Sequence, residues 1–160
     1  PLPERPTAAR RLGTEVHRII EERVRGVSPY PEETELDDPG EVTEPSVTAR
    51  LLEHFESSGY AQRPLARLPS GEPMVELPFT LEVDGRVVRG RIDAVYEAGD
   101  GGVEIVDFKS GRRFEPAERD QLDIYARALE ANGLLPDGVE VTLTYAFLDG
   151  GEPVSRVWKG

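Results

Sequence analysis

Val103-Glu104-Ile105-Val106-Asp107-Phe108-Lys109-Ser110-Gly111 is an apolar, β-branched run bounded by the Gly99-Asp100-Gly101-Gly102 turn on one side and by Gly111 on the other. Such a run reads as a buried strand. Alternate residues of a strand share a face, so Asp107 and Lys109 are expected side by side at its carboxyl end. An acid and a base so placed need each other or a ligand. Upstream of the turn a second strand carries Gly90-Arg91-Ile92-Asp93-Ala94-Val95, and a hairpin between the two brings Asp93 towards Asp107. Two close carboxylates repel unless a proton or cation lies between them, and oxygen ligands at short range favour hard divalent ions such as Mg²⁺ or Mn²⁺.

Working outward, residues 74–83 and 86–97 read as strands joined by Asp84-Gly85, a two-residue hairpin signal. After Gly111 comes a polar loop, then a helix over 116–131 with Leu122, Tyr125, Ala126 and Leu129 on its inner face and Asn132-Gly133 at its end. Two more strands, 139–148 and 153–158, flank Asp149-Gly150-Gly151. The helical crossover makes the strands on either side of it parallel, so an α/β fold is expected, a mixed sheet flanked by helices. On the amino-terminal side, Thr7 caps a helix over 8–25 with Leu12, Val16, Ile19 or Ile20, and Val24 as its apolar stripe and His17 one turn beyond Gly13. A second helix spans 45–57, with Pro45 in its first turn, Val47, Leu51 and Phe55 buried, Gly59 past its end and His54 at the surface. The stretch 28–45 is acidic and proline-rich and reads as a solvated loop.

Asp107-Phe108-Lys109-Ser110-Gly111, preceded by Asp93 on the neighbouring strand, resembles the PD-(D/E)xK nuclease superfamily. Gly13-Thr14-Glu15-Val16-His17 upstream and Gln121-Leu122-Asp123-Ile124-Tyr125 downstream make it similar to the RecB-type branch. The resemblance runs from residue 13 to about residue 147 and implies a restriction-endonuclease-like fold and a divalent-metal-dependent deoxyribonuclease, an exonuclease. It implies His17, Asp93, Asp107 and the carbonyl of Phe108 as metal ligands for one or two Mg²⁺ or Mn²⁺ ions, with Mn²⁺ at least as effective. The resemblance also implies that Lys109 orients the attacking water or helps stabilise the developing charge, and that Gln121 and Tyr125 position the scissile strand. Arg91, Arg112 and Arg113 are weaker phosphate candidates, Arg63 and Arg67 are surface charges, and Glu76 stands outside the metal shell. Implied partners are DNA, as single-stranded ends, and helicase domains of the UvrD or AddAB type in the same or a partner chain, working in double-strand break repair. The opposing reading is a catalytically silent nuclease-fold module that guides DNA or contacts a helicase.

Composition bounds these readings. At 160 residues with 38% hydrophobic and 31% charged residues, one soluble domain over 1–160 is expected. No apolar run reaches the roughly 20 residues of a membrane helix, which points to no membrane association and to the cytoplasm. The absence of cysteine excludes disulfides and the iron–sulfur cluster of some RecB-type nucleases. Opening on Pro1 rather than Met, the chain is expected to be a piece of a longer protein. A net charge of −12 argues against strong nucleic-acid binding, but seven acids without a single Lys or Arg lie within 28–48, so the deficit is local.

Overall fold

The computed structural model describes residues 17, 18, 20, 21, 43–109 and 121–159, with the backbone alone for 43–48 and Asp100. Its elements are a helix α1 (Thr43–Ser57), strands β1 (Val75–Val83), β2 (Arg86–Glu97) and β3 (Val103–Lys109), a helix α2 (Gln121–Ala131), and strands β4 (Val141–Phe147) and β5 (Val154–Val157). His17, Arg18, Ile20 and Glu21 are also helical. The five strands form one sheet in the order β1-β2-β3-β4-β5, antiparallel except for the parallel β3–β4 pair.

That parallel pair explains the quoted run. A strand covered on both faces has no solvent side to alternate with, and β3 is buried from Val103 to Phe108. On one face lie Val106, Phe108, Ala94, Tyr96 and Ala146, packed against Leu51 and Phe55 of α1 and against Ile20. On the other, Ile105, Leu143 and Tyr145 pack against Leu122, Tyr125, Ala126 and Leu129 of α2. The mixed α/β sheet between helices is as expected, and so is the inner stripe of α2.

Strand β2 changes partner midway. It pairs with β3 only from Ala94↔Val106 to Glu97↔Val103, while its pairing with β1 continues to the Arg86↔Val83 end. Ile92 and Val95 pack on the α2 side, whereas Ala94 and Tyr96 pack on the α1 side. The three-residue step from Ile92 to Val95 breaks the two-residue alternation of a strand, so β2 twists at Asp93. Beyond that point the β1–β2 pair runs on as a two-stranded ribbon.

Several expectations fall outside the described residues: most of the helix over 8–25, the acidic stretch 28–42, the side chain of Val47, the start of the helix expected at 116, and Arg112 and Arg113. Among the described residues no helix is long and apolar enough to cross a membrane.

Candidate metal and phosphodiester site

The site forms where β2 leaves β3. One more step of the β2–β3 register sets Asp93 opposite Asp107, and there a side chain replaces the ladder: Asp93 Oδ2 accepts the Phe108 N–H at 2.8 Å. Both carboxyl groups are buried. Burial, with the neighbouring Asp107 charge second, raises the Asp93 carboxyl well above the ordinary carboxylate range, against the lowering effect of the Phe108 amide. The convergence of Asp93 on Asp107 inferred from the hairpin is present. Lys109 lies on the face of Asp107, its Nζ 2.9 Å from Asp107 Oδ2.

His17 closes the site from the amino-terminal helical turn. Its Nε2 lies 3.0 Å from the Phe108 carbonyl and its Nδ1 lies 3.6 Å from Asp93 Oδ1. A carbonyl only accepts, so this contact assigns a proton to Nε2, with Nδ1 turned towards Asp93. The Phe108 carbonyl, expected as a ligand, is here the acceptor for the imidazole.

Glu76, read from the sequence as outside the metal shell, lies beside His17 and Asp93. His17, Glu76 and Asp93 each offer a ligand atom, and the three atoms lie within 4.8 Å of one another. The β1–β2 register pairs Val75 with Ala94 and Leu77 with Ile92 but leaves Glu76 and Asp93 between them unpaired, because Glu76 has a left-handed φ of 48°. Such a backbone is uncommon for a residue with a side chain, costs of order 1–3 kcal/mol, and clusters at functional sites. It puts this carboxylate in the cluster instead of outside it. Burial raises the Glu76 carboxyl too, with His17 and Arg91 opposing and Glu21 and Asp107 adding to the rise.

Gln121 and Tyr125 share a face of α2, as their spacing requires. Burial and then the Asp107 charge push the Tyr125 hydroxyl well up, while a hydrogen bond from Gln121 lowers it in part. An amide N–H given to the phenol oxygen leaves the Tyr125 hydrogen available for another acceptor. The Gln121 carbonyl oxygen is buried and has no hydrogen-bond partner among the described residues.

A second ionic group sits on the opposite face of β3, and the sequence did not reveal it. Glu104, buried, accepts from Tyr60 Oη at 2.9 Å and Thr144 Oγ1 at 2.6 Å, and pairs with Arg63 at 2.7 Å. Arg63 lies over the rings of Tyr60 and Tyr96, so it is not the free surface charge expected, and the Tyr60 hydroxyl is pushed up to about 12 by burial and by Glu104. Arg67 donates to the Gly71 carbonyl at 2.6 Å. His54 is half-buried against Gly150 rather than at the surface.

The chain is similar in part to known proteins. Two curated relatives match part of the chain, the Gene 69 proteins of Mycobacterium phage D29, 44% identical over 61 residues, and of Mycobacterium phage L5, 43% identical over 58 residues. These stretches cover 38% and 36% of this chain and 22% and 19% of the phage proteins, so the match spans only about a fifth of their length. The crystal structure of SSO0001 aligns with a TM-score of 0.40 at 20% identity, over 72% of this chain and 54% of that one. The profile of the PD-(D/E)XK nuclease superfamily, whose members use divalent metals, matches residues 1–157. With its mixed sheet and its acid-x-lysine strand, the chain belongs to the PD-(D/E)XK nuclease superfamily.

Proposed function

We propose that this chain, as one domain over 1–160, hydrolyses phosphodiester bonds of DNA at the cluster formed by His17, Glu76, Asp93, Asp107 and Lys109. The observation that carries the reading is the desolvated Asp93 carboxyl, beside Asp107 and within 4.8 Å of donor atoms from His17 and Glu76. Buried acids in such company take up a proton or a cation. Carboxylate oxygens with one imidazole suit Mg²⁺ and, still better, Mn²⁺. His17, Glu76, Asp93 and Asp107 would hold the ion, with the Phe108 carbonyl beside them; when bound, it would supply Lewis acidity towards a phosphoryl oxygen.

The chain's own groups do the positioning. Lys109, held on Asp107, sets an ammonium where the attacking water loses its proton and where negative charge develops. Tyr125, oriented by the Gln121 amide, donates to a non-bridging phosphate oxygen and fixes the scissile strand. The order His17, Asp93, Asp107-x-Lys109, Gln121-x-x-x-Tyr125 supports the RecB-type branch. With it come an exonuclease acting at DNA ends, a helicase in the same or a partner chain, a role in break repair and a cytoplasmic location.

The test is cleavage of labelled single-stranded and duplex DNA with Mn²⁺, Mg²⁺ or EDTA, alongside Lys109→Ala. Metal-dependent cleavage that falls at least about a hundredfold in the variant is expected, with divalent-ion binding retained by calorimetry. A chain that binds DNA but cleaves in no metal is the silent guiding module instead.

A further inference from the structure

The β1–β2 ribbon carries charge that the site itself does not use. Residues 86–92, Arg-Val-Val-Arg-Gly-Arg-Ile, hold three arginines and no acid in a chain of net charge −12. Its two faces differ. On the inner face, Phe79 pairs with Gly90, and its ring meets Tyr125 of α2 edge-on at 5.4 Å. Gly90 is required there, because a Cβ would lie 2.9 Å from the Phe79 ring. The inner face is thus fastened to α2, and the outer face is left to solvent.

The outer face presents Val87, Arg89 and Arg91, opposite Glu82, Thr80 and Pro78. All three are exposed, Val87 to 57%. Among the described residues no acid lies within ion-pair distance of Arg89 or Arg91. Two residues further along their strands, past Arg91 and Pro78, come Asp93 and Glu76. At roughly 3.3 Å per strand residue, Arg91 stands about 7 Å and Arg89 about 13 Å along the strand from Asp93.

Building on the nuclease reading above, we infer that the outer face of this ribbon is the track by which the DNA sugar–phosphate backbone enters the site, successive phosphates lying on Arg91 and Arg89. A guanidinium forks onto two phosphate oxygens, and a row of them leading to a phosphodiester-cleaving cluster fits an extended polyanion. This also answers the chain's acidity: affinity comes from a local row and not from net charge.

The experiment uses the full chain carrying Arg89→Gln and Arg91→Gln together, with Arg50→Gln, an exposed arginine on α1, as the control for lost charge. Thermal melts matching the parent establish folding. Binding of labelled single-stranded and duplex oligonucleotides is followed by anisotropy with Ca²⁺ across a salt series. The double variant is expected to bind about tenfold more weakly, with a log–log salt slope shallower by about 1.4 on single strands, or about 1.8 on duplex. KM should rise. The substrate that shows the loss identifies the strand form the track takes. Unchanged affinity and slope on both substrates, or an equal loss in Arg50→Gln, overturns the track. Binding is read without cleavage, so failure of the nuclease reading, seen as no cleavage by the parent in any metal, is distinguishable from failure of the track.

Discussion

Asp93 does two jobs at once, since one oxygen completes the sheet by accepting the Phe108 amide and the other faces His17. The second role opposes stability when no cation is bound. Its folded pKa lies above the unfolded value, so from the ordinary carboxyl range up to that raised value the native state holds a proton that the unfolded chain releases. Metal-free stability therefore falls as pH rises through this window. Asn keeps the acceptor and cannot ionise. Asp93→Asn is expected to melt a few degrees higher than the parent at neutral pH in EDTA and to lose that pH dependence, while losing divalent-ion binding and cleavage. An equal or lower melting point at every pH would show that the Asp93 charge carries no penalty in the fold.

At the scale of elements, β3 joins two ionic groups on opposite faces, the open one at Asp107 and the closed one at Glu104. Removing the Arg63 side chain leaves Glu104 buried without its counter-charge. Arg63→Ala should cost about 2–3 kcal/mol in a urea titration, with cleavage per folded molecule unchanged, because Glu104 faces away from Asp107. Loss of activity in folded protein would instead tie the connector to the site. The elements themselves were legible. Alternation and the Asp84-Gly85 turn located the hairpin, the unbroken run at 103–108 marked a strand covered on both faces, and the crossover helix made β3 and β4 parallel. Asp93, Asp107 and Lys109 followed from that register. Glu76 did not, because a left-handed residue interrupts the pairing without leaving a Gly or Asn to signal it. The Glu104–Arg63 pair was hidden for another reason: its partners are brought together by the packing of the 60–67 connector on the sheet, a contact with no local pattern.

Across the whole molecule, a cation held by the proposed cluster would be linked to folding, since the cluster draws on β1, β2 and the amino-terminal helical turn together. An ion that binds only the native state stabilises it by about 2.7 kcal/mol at a hundred times its Kd. Thermal unfolding followed with increasing Mn²⁺ should show a midpoint that climbs with concentration and returns on EDTA, and a midpoint indifferent to Mn²⁺ would mean that the cluster binds no ion. The dual duty of Asp93 also bears on ancestry. If cleavage runs through Lys109 and Tyr125 as proposed, a lineage drifting away from it is free to vary them, but the acceptor that caps the end of the β2–β3 ladder is kept by the fold itself. Descendants that have fallen silent should thus still carry Asp or Asn at this position, and among such cousins the lysine, not the aspartate, tells the working enzymes from the relics.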